Sequence, residues 1–262
     1  VAAGGRDLAR RLGEAARDRI GRALAGAAAP GPDLLPPGAA ALRTPRDLAP
    51  LIDHTVLRPG AAAAEVERAC GEALAHGFAG VCVRAEHLPL VVRRLGGSRV
   101  RAVAVVDFPA GGGSTVARAA EARAAAEAGA AEVDAVAPLP AFLAGDLLRA
   151  GLDLEALVLA AAPADVKVIL ETAALPPPLR AAAAAVAAAA GARFVKTSTG
   201  FGPGGATEED VRLLRQVVGP RVGVKASGGI RTAADALRMV RAGASRLGCS
   251  ASVAIVEGRF DP

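Results

Sequence analysis

The chain has no tryptophan, no tyrosine and only six phenylalanines in 262 residues. It therefore lacks the aromatic platforms on which nucleic-acid bases stack, and no nucleic-acid partner is expected. Cysteine occurs three times, at Cys70, Cys82 and Cys249, an odd number with no CxxC pair. That argues against a disulfide framework or a thiolate metal centre and fits a reducing cytoplasm. Three histidines, His54, His76 and His87, show no HExxH or other ligand spacing, so no metal is expected. There is no run of about 18 strongly apolar residues, and no membrane span is expected. Arginines and acids interrupt any signal-peptide core near the N-terminus.

Lysine is the other scarcity. Lys167, Lys196 and Lys225 stand against 28 arginines. Each follows a valine in a short apolar run: Asp165-Val-Lys-Val-Ile-Leu, Phe194-Val-Lys-Thr-Ser-Thr and Val222-Gly-Val-Lys-Ala-Ser. Arginine supplies surface charge equally well, but it cannot shed a proton at neutral pH and attack a carbonyl. One such lysine is adequately explained as a buried stem whose head reaches a strand end. Three together point to amine chemistry.

What is abundant is alanine and valine, which carry most of the 52% hydrophobic content. The formal net charge of +5 is uneven. Residues 1–46 hold eight arginines against four acids, so the rest of the chain is near neutral. Residues 6–25 have leucine and alanine at helical spacing, and a Pro/Gly-rich linker follows over 30–38. We read 1–46 as a helical extension with its linker, and 47–262 as one domain.

Within that domain, strand-like runs near 51–57, 79–85, 101–108, 132–138, 165–171, 194–199, 221–227 and 245–250 alternate with helical segments. The helices are expected near 62–76, 86–95, 115–129, 142–161, 177–190, 207–218 and 232–242, with another starting near Ser250. Strands alternating with helices pair in parallel, and eight such units close a (β/α)8 TIM barrel, an α/β fold. A doubly wound open sheet is the competing architecture, but Arg-Pro-Gly-Ala follows Leu57 where its glycine fingerprint belongs. In a barrel the chemistry lies at the strands' C-terminal ends, and the three lysines fall on the neighbouring strands five, six and seven.

Lys196 is followed by Thr197-Ser198-Thr199-Gly200-Phe201-Gly202-Pro203-Gly204-Gly205, and Lys225 by Ala226-Ser227-Gly228-Gly229-Ile230-Arg231. Each loop opens a helix, at Thr207 (with Asp210 at the capping-box position) and at Thr232 (with Asp235). Strand eight ends Gly248-Cys249-Ser250-Ala251. Such loops let backbone N–H groups approach an anion, as recurs in the last third of barrels.

Residues 192–257, with Val168-Ile-Leu-Glu-Thr172, Glu132-Val-Asp-Ala-Val136, Phe108-Pro109, Gly80-Val-Cys-Val83 and Leu51-Ile-Asp-His-Thr-Val-Leu57, resemble the 2-deoxyribose-5-phosphate aldolases. The resemblance spans about 48–257. It implies a class I aldolase on a (β/α)8 barrel, without metal or cofactor, acting on small phosphosugar and aldehyde substrates. It also implies a homodimer or larger homo-oligomer. By resemblance, Lys196 forms the Schiff base, Lys225 is a second active-site lysine and Asp134 the acid–base carboxylate. A neighbouring cation and desolvation both make a lysine easier to deprotonate, which gives a physical reason for the lysine pair. Asp53 and Thr55 are expected to orient substrate. Gly200, Gly228, Gly229 and Gly248 would hold phosphate by backbone with the Ser250 hydroxyl, Arg231 would add charge, and Thr199 is expected to bind substrate. Cys82 reads as a core residue.

Asp107 departs from the family's expected glycine, Pro138-Leu-Pro140 replaces a more polar stretch, and Ala251 stands where a second serine is common. Arg58 and Ala173 replace lysine and cysteine. Two other functions remain open at this level: another imine-forming barrel aldolase or transaldolase, and a phosphosugar-binding paralogue without turnover.

Overall fold

Short runs of valine, isoleucine and alanine bounded by glycine and polar residues form strands, and the alanine-rich stretches between them form helices. The computed structural model describes residues 33–38 and 41–260. Eight strands close into a parallel barrel in sequence order: β1 (Ile52–Val56), β2 (Gly80–Val83), β3 (Arg101–Val106), β4 (Glu132–Val136), β5 (Asp165–Ile169), β6 (Phe194–Lys196), β7 (Gly223–Ser227) and β8 (Arg246–Cys249). Closure is made by β1 on β8, with Ile52 opposite Leu247 and Asp53 opposite Gly248. This is the (β/α)8 barrel, not the open sheet.

The helices lie near their expected positions: α1 (Ala63–His76), α2 (Leu88–Leu95), α3 (Thr115–Glu127), α4 (Leu139–Leu143), α5 (Leu147–Ala161), α6 (Pro177–Ala189), α7 (Glu208–Val218), α8 (Ala233–Ala242) and α9 (Ser252–Glu257). The helix expected over 142–161 is two. Gly145 takes a left-handed φ of 73° and Asp146 caps the second piece by accepting from the Arg149 N–H. At α8 the Thr232/Asp235 capping box forms. At α7 Thr207 caps, but the Asp210 carboxylate turns instead to the Thr172 hydroxyl and Arg180.

A 3-10 turn, Pro45–Leu51, leads into β1 and buries Leu48 and Ala49. The helix expected over 6–25 lies outside the described residues. Part of the linker is docked: the Leu34 N–H donates to the Pro220 carbonyl at 2.6 Å, and Arg215 donates to the Leu34 carbonyl at 3.1 Å.

The main apolar core lies between strands and helices. Inside the barrel, Leu57, Cys82, Val103 and Val105 form a small apolar cluster on the β1–β3 side. The rest of the interior is charged. Asp53, Glu132, Asp134, Lys167, Lys225 and Arg246 are all buried. Phe194 lies among them with the Arg246 guanidinium 5.0 Å from its ring centroid. Gly223 of β7 makes room, because a Cβ there would sit 2.1 Å from that ring. Among the described residues no helix is long and apolar enough to cross a membrane.

Candidate active site

The loops after β1, β6, β7 and β8 surround a cavity of about 500 Å³ at the C-terminal mouth. Nine of the twelve expected site residues line it: Thr55, Lys196, Thr199, Gly200, Gly228, Gly229, Arg231, Gly248 and Ser250. The other three, Asp53, Asp134 and Lys225, are fully buried and do not line it.

Period-two alternation sets the directions inside a strand. Phe194 and Lys196 share one face of β6, and Glu132 and Asp134 one face of β4. Lateral register then places Lys196 opposite Lys225 and Asp134 opposite Lys167. As a result Lys196 Nζ and Lys225 Nζ both lie 2.8 Å from one atom, Asp134 Oδ2. Asp134 Oδ1 receives Lys167 Nζ at 2.8 Å. Asp53 reaches Lys225 through Oδ2 at 2.5 Å and Arg246 through Oδ1 at 2.7 Å. Its carboxylate is thereby committed to the buried cations, while the neighbouring Thr55 lines the cavity and donates its hydroxyl to the Asp53 carbonyl.

Burial alone would raise the Asp134 carboxyl, but Lys167, Lys196 and Lys225 outweigh it and hold the group well below the usual carboxylate range. Asp53 is lowered in the same way, with Arg246, Lys225 and Lys167 overcoming desolvation. Burial pulls the Lys225 ammonium down, yet Asp134 and Asp53 prevail and raise it. The two carboxylates thus favour the charged form of Lys225 beside Lys196. Cys82, fully buried, is pushed up to about 11 by desolvation and stays a neutral thiol, in keeping with a core role.

The glycine loops pack on one another. Ala206 donates its N–H to the Gly228 carbonyl, and a Cβ on Gly205 would lie 2.4 Å from that oxygen. Gly228 itself has φ 87°, where side-chain-bearing residues are strained. Arg231 is exposed on the cavity wall and its N–H donates to Asp235.

Some participants were not singled out from sequence. Glu171, left-handed at φ 49° and buried, accepts the Thr199 hydroxyl at 2.5 Å and the Thr199 N–H at 3.2 Å. It pins the start of the glycine loop, and Gly202 leaves room for its carboxyl group. Arg58 and Glu65 line the cavity as an ion pair at 2.6 Å. Glu132 and Arg246 complete the buried charge set, and the one local cue was a charge at an inward strand position.

Apart from Arg58, the departures fall outside this cavity. Asp107 takes φ 51°, the region in which glycine is favoured, and its carboxylate accepts from the Gly113 N–H and lies 3.2 Å from Arg118. It braces the β3–α3 loop. Pro138 and Pro140 start α4 and border a separate cavity of about 420 Å³. Ala251 precedes α9, where Ser252 instead bonds the Cys249 carbonyl and His54.

Buried amines gathered at the C-terminal end of a closed α/β barrel, beneath a glycine-lined cavity, define a barrel enzyme. The family model described as DeoC/LacD family aldolase matches residues 48–255. A deoxyribose-phosphate aldolase of Thermoanaerobacter sp. (strain X514) is 45% identical over 214 residues, covering 80% of this chain and 96% of that protein. One from Thermococcus gammatolerans is 47% identical over 216 residues, with 81% and 96% covered. The tetrameric deoxyribose phosphate aldolase structure from Aeropyrum pernix superposes with a TM-score of 0.75 at 32% identity, covering 84% of this chain and 97% of that one. The chain belongs to the DeoC/LacD aldolase family, and it is an aldolase.

Proposed function

We propose that this aldolase reversibly cleaves 2-deoxy-D-ribose 5-phosphate to D-glyceraldehyde 3-phosphate and acetaldehyde through a Schiff base on Lys196. The observation that carries the reading is the meeting of two amines on one carboxylate oxygen, with Lys196 alone of the three lysines lining the glycine-walled cavity. The names of the relatives supply the substrate.

The neutral Lys196 amine attacks C1 of the open-chain sugar, and the carbinolamine loses water to give an iminium. The C3 hydroxyl gives up its proton and the C2–C3 bond breaks. Its electrons pass to C2, forming the enamine and releasing glyceraldehyde 3-phosphate. Protonation at C2 and addition of one water then release acetaldehyde and restore the amine. Asp134, within hydrogen-bond distance of both amines, takes and returns protons. Lys225 stays cationic and opposes charge on Lys196. The mouth glycines with Ser250 and Arg231 hold the phosphate, and Thr55 and Thr199 orient the sugar. Asp53 acts on the substrate indirectly, by fixing Lys225. A homo-oligomer fits the family, with Val116, Leu143 and Leu159 exposed on α3–α5. Three buried free cysteines fit a reducing cytoplasm.

Borohydride reduction in the presence of acetaldehyde, followed by peptide mass mapping, tests the assignment. An ethyl adduct on Lys196 is expected. No adduct, or one confined to Lys225 or Lys167, overturns it. A substrate panel that favours keto donors over acetaldehyde would instead mark a transaldolase-type enzyme, and binding without acetaldehyde release a non-catalytic paralogue.

A further inference from the structure

The buried charges form a closed circuit. Asp134 Oδ1 contacts Lys167 at 2.8 Å, and Lys167 contacts Glu132 Oε2 at 2.6 Å. Glu132 receives both Arg246 Nη atoms, at 2.9 and 3.2 Å. Arg246 contacts Asp53 at 2.7 Å, Asp53 contacts Lys225 at 2.5 Å, and Lys225 returns to Asp134 at 2.8 Å. Six side chains from five strands alternate in sign around the ring, three anions and three cations, so the ring is neutral. Lys196 hangs outside it on a shared oxygen, as a seventh, surplus charge.

We propose that Lys167, Glu132 and Arg246 are positioning residues that close this neutral ring, fix Asp134 and Lys225, and leave Lys196 as the cation without a counter-charge of its own. The proposal rests on the reading of Lys196 as the nucleophile. A charge taken out of water is costly unless paired, and each ring member is paired on two sides. Proton loss from Lys196 removes the surplus. Loss from Lys167 or Lys225 would strip a cation from between two carboxylates. The ring thus selects which of three chemically identical amines becomes the nucleophile. Lys167, whose role the motifs leave open, receives one: it occupies the second oxygen of Asp134 and turns the first toward the two reactive-site amines. None of the three positioning residues lines the cavity.

The groups facing Lys196 are Asp134 from β4, Lys225 from β7 and the neutral Cys82 thiol from β2. Arg101, half exposed at the base of the barrel, faces Glu132 at 3.3 Å and is common to all variants considered.

The test is the pH midpoint of borohydride-trapped acetaldehyde adduct, measured relative to each variant's own plateau. Lys167→Met removes a ring cation, so Lys196 keeps its proton to higher pH. Glu132→Gln removes a ring anion, and the midpoint falls. Shifts of ~1 pH unit in opposite directions are expected for charges this close in a barrel interior, about tenfold in trapping rate below the midpoint. The double variant restores neutrality and returns toward the wild-type midpoint. If Lys167→Met does not fold, Glu132→Gln against the charge-preserving Glu132→Asp makes the same comparison, with a shifted midpoint only in the former. Midpoints that stay fixed while the plateau falls, or that move in the same direction, overturn the ring and indicate a purely structural role. Absence of a Lys196 adduct in the wild type refutes the nucleophile assignment itself.

Discussion

Arg118 is the most completely buried arginine of the structure, 1% exposed on α3. Its guanidinium pairs with the buried Asp153 of α5, donates to the Val136 carbonyl at the end of β4, and lies 3.2 Å from Asp107. One side chain thus ties two helices to the strand that carries Asp134. Arg118→Met keeps most of the volume and deletes the charge. Asp153, 6% exposed, then loses its buried partner. Breaking a buried pair in this way costs about 3–5 kcal/mol. At ~2–4 °C per kcal/mol for a domain of this size, Tm should fall by roughly 6–20 °C. Thermal unfolding followed by circular dichroism measures this. Arg118→Met combined with Asp153→Leu removes the stranded carboxylate and should recover part of the loss, so the two single effects do not add. A single-variant loss below ~3 °C, or a double variant showing the full sum of both losses, refutes the argument that this pair is a buried, mutually dependent one.

Stability should also depend on pH with a definite sign. Asp53 and Asp134 are lowered on folding, so their contribution is complete above the unfolded value of ~4 and is lost as pH falls below it. Lys225 is raised, so its contribution is complete below ~10.4 and is lost only as pH climbs through its higher folded value. Tm should be level from about pH 5 to 9 and drop below ~4; a rise on acidification from 5 to 3 would contradict the ionised cluster. Removing residues 1–40 deletes the two hydrogen bonds of Leu34 and should cost at least about 1–3 kcal/mol with activity retained. A folded truncated protein without activity would show that the extension takes part in catalysis.

Much of this enzyme was legible in its sequence because the signals are local. Eight apolar runs punctuated by glycine gave the strand count, and the Phe194-Val-Lys-Thr-Ser-Thr-Gly and Val-Lys-Ala-Ser-Gly-Gly segments gave the residues of the mouth. Lys196, Thr199, Gly200, Gly228 and Gly229 of these segments line the cavity, together with Thr55, Arg231, Gly248 and Ser250. The stretch 142–161 is not a single helix because Gly145 and Asp146 make a turn that an apolar periodicity passes over. Asp107, beside the Phe108-Pro109 motif, does not line the cavity. A left-handed backbone and a buried arginine eleven residues on turn it away.

What the sequence determined by itself was the order of elements, the scarcity of amines and the chemistry those amines permit. What only tertiary structure decided was which carboxylates each amine meets and which amine lines the cavity. Lys167, Lys196 and Lys225 each follow a valine in an apolar run, and although the glycine loops after Lys196 and Lys225 set those two apart, no sequence neighbour shows which carboxylates each amine meets. Glu132 and Arg246 stand 114 residues apart, and Asp53 and Arg246 stand 193 apart. Barrel closure of β1 on β8 brings the chain's early carboxylate beside its late arginine. Electrostatic energy depends on distance through space and on the loss of water, not on separation along the chain. Once the ring is closed, two of the three lysines are locked between carboxylates and one faces the cavity.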